Sequence, residues 1–133
     1  MNTKLATGAA NELRAAAYYT EQGWEVFWSP AAQGAADFLM QREGEVRAVQ
    51  VKTAHVMERS GRTETRLYLK RSNGTRYLTS DFDILAVVCS TGRMWSIPFN
   101  NLPSVTTITL HSPDGEGNNR HDYDKYMVNN YVH

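Results

Sequence analysis

The sequence predicts an α/β domain in which an N-terminal helix packs against a sheet of short strands. Three observations carry this. Apolar and small residues recur at helical spacing over the first twenty positions, and the rest breaks into alternating or continuous apolar runs separated by glycine-containing turns. The length of 133 residues suits one sheet-and-helix core, so residues 1–133 are read as a single domain.

Leu5, Ala9, Leu13, Ala16 and Thr20 mark the helical stripe, and Gly23 follows Gln22 as a glycine just past a helix end would. A helix over Thr3 to Gln22 follows, supported by its alanine content. The aromatic, alternating run from Trp24 to Pro30 predicts a strand closed by proline, and the small residues Ala31 to Ala36 a loop.

Two further runs, Asp37 to Gln41 and Val46 to Thr53, flank Arg42-Glu43-Gly44-Glu45 and predict a hairpin. A turn centred on Glu43-Gly44 sets Asp37 opposite Gln50. Lys52, two residues on, projects from the face of Gln50, whereas Val49 and Val51 point into the core. A third strand is expected over Thr63 to Lys70, with a turn at Ser72-Asn73-Gly74. Ile84 to Cys89 is a continuous apolar run of the kind buried on both faces, and Met94 to Phe99 pairs with it across Ser90-Thr91-Gly92-Arg93. Pro98 puts that partner at an edge or at its own end. A short strand at Thr106 to Leu110, a loop over Ser112 to Asn119 and a terminal helix over Tyr123 to Val132 complete the expectation.

No apolar run approaches the roughly 20 residues that span a bilayer. Met1-Asn2-Thr3-Lys4 lacks a secretory signal and Cys89 is the sole cysteine, so an intracellular, cytoplasmic protein is expected, with Cys89 buried in a strand. Formal net charge is zero, yet between Arg42 and Arg76 nine basic residues face four acidic ones, leaving +5 there and −5 elsewhere. Such asymmetry can direct a positive field at phosphates, although a solvated strand surface would carry the same charges. The four histidines have no zinc-ligand spacing. Asp81 and Asp83 are read as residues that turn or cap the chain before the buried strand.

The chemistry concentrates on the Asp37, Gln50 and Lys52 face. Hydrolysis of a phosphodiester with a divalent metal needs hard oxygen ligands and a cation to steady developing negative charge. Asp37 and Lys52 are suited to those tasks, and Gln50 offers a weaker neutral oxygen. Glu12 is the candidate second carboxylate, lying roughly 60° from the centre of the apolar stripe on a helical wheel. Spacing alone leaves open a cross-strand Asp37–Lys52 ion pair and a Glu12 paired with a basic neighbour.

These residues resemble a known family. Glu12 on a first helix, the strand WEVFWSP, Gly34-Ala35-Ala36-Asp37 and then Gln50-Val51-Lys52-Thr53 are similar to the PD-(D/E)XK nuclease superfamily. Residues 49 to 54, Val-Gln-Val-Lys-Thr-Ala, most resemble a subgroup associated with group I intron homing endonucleases of cyanobacterial type, where Gln replaces the acid. The stretches Asp81 to Cys89 and Thr91 to Pro98 resemble its second half, so the likeness covers roughly residues 5 to 102. Ala36 replaces the signature proline, which only shapes the strand entry.

The resemblance implies a restriction-endonuclease-like α/β fold, a central mixed sheet flanked by helices with Glu12 on the N-terminal one. It implies Mg²⁺ (or Mn²⁺) held by Glu12, Asp37, Gln50 and the Val51 backbone carbonyl, with Lys52 assisting the attacking water. The expected activity is cleavage of double-stranded DNA by a homo-oligomer, dimer or tetramer, of phage or intron origin. Arg59, Arg62, Arg66, Lys70, Arg71 and Arg76 are the expected DNA contacts. Alternatives are a Holliday-junction resolvase acting on branched DNA, a restriction enzyme, or a DNA-binding relative without activity.

Overall fold

The computed structural model describes residues 2–28, 36–59, 61–69, 81–102, 107–111 and 123–128. Helix α1 spans Thr3–Glu21. Asn2 caps it, its side-chain oxygen accepting from the Leu5 N–H at 2.9 Å. At the other end Gly23 turns the chain away at φ +94, as its place after Gln22 predicted.

Among the described residues seven strands follow: β1 (Glu25–Trp28), β2 (Phe38–Arg42), β3 (Glu45–Arg59), β4 (Arg62–Tyr68), β5 (Ile84–Cys89), β6 (Met94–Pro98) and β7 (Thr107–His111). β1, β2 and the start of β3 form an antiparallel meander, and β5 lies parallel to the middle of β3. β6 pairs antiparallel with β5, β4 with the end of β3, and β7 with β4. The sheet is therefore mixed, and β3 is the strand with which β2, β4 and β5 all pair. Its length is what the sequence concealed: the expected strand ended at Thr53, whereas β3 runs on to Arg59 because β4 pairs with its last five residues.

The sheet separates two apolar clusters. On the helix side, Ala15, Ala16 and Tyr19 of α1 meet Phe38, Met40, Val49, Val51, Ala86, Val88 and Met94. On the other, Leu85, Val87 and Cys89 of β5 join Trp95, Ile97 and residues of β4 and β7 such as Leu67 and Ile108. β5 thus alternates between two cores and buries both faces, as its unbroken apolar run predicted. Cys89 is buried within it.

The helix is rotated relative to the predicted stripe. Leu5 and Leu13 are each 62% exposed, and the buried face is Asn11, Ala15, Ala16 and Tyr19. Small alanines let the backbone approach the sheet closely, and Tyr19 supplies the area that the leucines were expected to bury. On an ideal wheel this turns the buried face by roughly a quarter turn and brings Glu12 nearer its centre.

The predicted terminal helix over Tyr123 to Val132 is not what its described residues form. Asp124–Tyr126 make one 3₁₀ turn, after which Met127 bridges Trp95 and the Val128 N–H donates to the Met94 carbonyl at 2.8 Å. The free edge of β6 offers backbone partners there, and extended chain can use them where a helix could not. Of the flanking helices expected, α1 is the one α-helix among the described residues. None is long and apolar enough to cross a membrane.

Candidate active site

The geometry of the site starts at the β2–β3 turn. Glu43 (φ +51) and Gly44 (φ +81) both adopt left-handed backbone, the combination a two-residue hairpin turn needs to follow strand twist. Arg42 then pairs with Glu45 and Phe38 with Val49, the register expected from a turn centred on Glu43-Gly44. Asp37 departs from it: its N–H donates to the carbonyl of Val49, the residue already paired with Phe38, at 2.8 Å, so Asp37 does not pair with the Gln50 expected opposite it.

Beyond Asp37 β2 has ended, and among the described residues no strand pairs with the corresponding edge of β3 there. Within an extended strand the N–H and C=O of one residue point to the same edge. Val49 faces β2, so Val51 does too, while Ala48 is bonded on the opposite edge by Asp83. The Asp37 side chain fills the gap: Oδ2 accepts from the Val51 N–H at 2.7 Å. The Val51 carbonyl on that edge accepts from Gln50 Nε2 at 3.2 Å.

Glu12 reaches Asp37 from α1, where the two side chains share a hydrogen bond. Burial, that hydrogen bond and the charge of Asp37, in that order, push the Glu12 carboxyl up to about 7. Gln50 and Lys52 alternate with Val49 and Val51, whose side chains pack toward α1, so they project from the opposite face. The carboxylate pair consequently sits at the edge where the two faces meet. Glu12, Asp37 and Val51 are joined by direct contacts, Gln50 joins through the Val51 carbonyl, and Lys52 is located by its register beside Val87 of β5.

Among the described residues no three His, Cys, Asp or Glu side chains cluster as a metal group. Asp83 does not contribute one: its Oδ2 accepts from the Ala48 N–H at 2.8 Å, the capping task expected of it. Trp95 is core, while Trp24 carries the Arg42 guanidinium 4.4 Å above its ring.

The expected DNA contacts divide. Arg59 and Arg62 are paired at the end of the β3–β4 hairpin, beside Gly61 at φ +77. Arg66 lies within β4 opposite His55 and is half-buried, its Nε 3.7 Å from Glu64. Lys70, Arg71 and Arg76 lie outside the described residues, as does the predicted Ser72-Asn73-Gly74 turn. Sequence reasoning missed Asn11. It is 3% exposed and donates through Nδ2 to Thr53 Oγ1 at 2.9 Å, tying the residue before Glu12 to the residue after Lys52. The signal was an amide, a poor helix former, one and two turns ahead of Ala15 and Tyr19.

A helix carrying Glu12, a hairpin presenting Asp37 and a Gln50-Val51-Lys52 strand in a mixed sheet define a nuclease fold of the restriction-endonuclease-like class. The chain belongs to the PD-(D/E)XK endonuclease family, whose model matches residues 1–128. It is 34% identical over 88 residues to Protein 5.3 of Escherichia phage T7, a match covering 66% of this chain and 75% of the phage protein. Its fold is similar to the structure of a bacterial homing endonuclease, I-Ssp6803I, with a TM-score of 0.74 and 21% identity over 96% of this chain and 89% of that one.

Proposed function

We propose that this chain is a metal-dependent DNA endonuclease that cleaves double-stranded DNA at a defined site, as a homing-type enzyme does, and that it acts as a homo-oligomer. The observation that carries the reading is the Glu12–Asp37 carboxyl pair set beside β3 where its pairing with β2 ends, against Val51, which lies between Gln50 and Lys52 in sequence.

The donor set fits a divalent cation. Glu12, Asp37, the Gln50 side-chain carbonyl and the Val51 backbone carbonyl are all hard oxygens, the preference of Mg²⁺ or Mn²⁺. Two neighbouring carboxyls, one of them pushed up to about 7 by burial and by the other, form a place where a cation relieves their repulsion. Gln50 presents its carbonyl oxygen once its amide releases Val51. When bound, the metal lowers the pKa of a coordinated water and neutralises charge on the scissile phosphate.

The protein supplies the remainder. Asp37 is held rigidly by the Val51 N–H, so its outer oxygen is aimed rather than mobile. Lys52 orients the attacking water and offsets the negative charge that builds on the phosphate. Substrate is held by the β3–β4 hairpin, whose β3 side is exposed at four consecutive residues, His55 to Glu58. A two-stranded ribbon fits the major groove of duplex DNA, and Arg59 and Arg62 at its end would meet the backbone. The T7 relative accords with a phage-encoded setting.

A randomised duplex library incubated with Mg²⁺, with its ends then sequenced, tests the reading. One recurrent cut site is expected. Cuts confined to a four-way junction included in the assay would replace it with a resolvase, and absence of any cutting would remove the enzymatic reading. Light scattering tests the oligomer, which a strictly monomeric species would refute.

A further inference from the structure

Glu12 and Lys52 lie on separate elements, and the spacing between their elements depends on how α1 sits on β3. At the Glu12 end of α1 the apolar contacts do little to fix that seat, since Tyr19 packs on Phe38 only near the other end. Ala15 and Ala16 present short side chains against the sheet, and such a surface can slide or roll with little loss of contact. Two polar pins fix it instead. Asn11 Nδ2 donates to Thr53 Oγ1 of β3 at 2.9 Å, and the Tyr19 hydroxyl is bonded to Ser96 Oγ of β6 at 2.6 Å. They are separated by eight residues of helix, about 12 Å of rise.

The two pins differ in what stands beside them. Asn11 adjoins Glu12, and Thr53 adjoins Lys52, so this one hydrogen bond is a short non-covalent link between the helix and strand parts of the site. The Asn11 amide is oriented for it, since Oδ1 accepts from Arg14 Nη1 at 2.7 Å and Nδ2 is thereby turned toward Thr53. The side chain is 3% exposed, where an unsatisfied amide is costly and an alternative partner from solvent is scarce. The Tyr19–Ser96 pin has no site residue next to it on either element.

We propose that Asn11 and Thr53 are positioning residues for the nuclease reaction: their hydrogen bond sets α1 on β3 so that Glu12 meets Asp37 at the edge beside Gln50 and Lys52. The assignment rests on the metal-dependent reading of those residues given above. Neither Asn11 nor Thr53 touches the reacting atoms; each acts through its sequence neighbour.

The test pairs Thr53→Val, which keeps the shape and removes the hydroxyl, with Thr53→Ser, which restores it, and uses Ser96→Ala to break the other pin. Mn²⁺ alone is titrated calorimetrically into each full-length protein, and melting temperature is recorded in parallel. Thr53→Val should weaken Mn²⁺ binding roughly tenfold, the scale on which groups supporting metal ligands act. Thr53→Ser should remain near the parent, and Ser96→Ala should lower the melting temperature without weakening Mn²⁺ binding. Asn11→Ala should repeat the Thr53→Val result from the other partner. Unchanged affinity in Thr53→Val and Asn11→Ala, or an equal loss in Ser96→Ala, would overturn the assignment.

Should the parent protein bind no Mn²⁺, the metal reading fails, and the positioning role is then decided in metal-free protein by the carboxyl ¹³C resonances of Glu12 and Asp37. Movement of both in Thr53→Val but in neither Thr53→Ser nor Ser96→Ala supports it. Resonances that stay in place, or move equally in Ser96→Ala, refute it.

Discussion

Asp37 and Val51 are bonded side chain to backbone, Oδ2 to N–H at 2.7 Å, where strand-to-strand pairing would otherwise have continued. The carboxylate therefore takes the place of a strand carbonyl as acceptor, while it also meets Glu12 of α1. Replacing Asp37 by Asn keeps an acceptor for Val51 but removes the charge. Cleavage should fall by at least about a thousandfold while the fold and DNA binding persist. Lys52→Ala should cost roughly 10²- to 10³-fold in the rate of cutting with Mn²⁺ affinity little changed. Single-turnover cleavage beside filter binding and calorimetry separates the two outcomes.

The Glu12 carboxyl, pushed up to about 7 from the ordinary 4.5, ties stability to pH. In that window the folded chain holds a proton that the unfolded chain has released, so stability falls as pH rises from 4.5 to 7 and the loss is complete above 7. Glu12→Gln carries no such charge. It should be more stable than the parent at pH 8 by about 1 kcal/mol, the half-exposed carboxyl being partly screened by solvent, and the gap should close at pH 4. Urea melts of both proteins at the two pH values measure it; a gap that widens toward pH 4 would contradict the direction.

Gln50→Glu should bind metal more tightly and be less stable without it. Glutamate cannot donate to the Val51 carbonyl as Gln50 Nε2 does, and its charge would stand beside that oxygen and the carboxyl pair. The melting temperature of the variant is expected below the parent in EDTA and to rise further than the parent's on adding Mn²⁺. An equal rise in both proteins would count against Gln50 as a ligand.

Arg59 and Arg62 close the β3–β4 hairpin, where contact with phosphates would be sequence-independent. Replacing either by Ala should weaken duplex binding on every sequence alike and reduce the slope of log affinity against log salt by about 1. Fluorescence anisotropy over a salt series gives that slope directly, and an unchanged slope would place the backbone contacts elsewhere.

Much of this was legible in the chain. The turn at Glu43-Gly44 fixed the register from Arg42–Glu45 to Phe38–Val49, because a one-residue slip would have sent every core valine to the wrong face, whereas Asp37 meets Val49 and Val51 rather than the Gln50 expected opposite it. β5 was legible because both its faces are buried. The rotation of α1 was not, since Leu5 and Leu13 outrank alanines on any hydrophobicity scale and only the depth of Tyr19 and Asn11 reveals the true face. The extension of β3 past Thr53 was hidden for a related reason. His55 to Glu58 are exposed, so they carry no alternation, and their strand state comes from pairing with β4.

From Glu45 to Arg59 β3 contains neither glycine nor proline. The segment that would lie in a groove and the segment bearing Gln50, Val51 and Lys52 are thus one uninterrupted stretch of pleated backbone, with no joint between them. A sequence on which the ribbon settles askew would tilt the cutting residues by the same motion. Selectivity in such a molecule would be a matter of leverage, exerted by a single rigid arm on its own fulcrum.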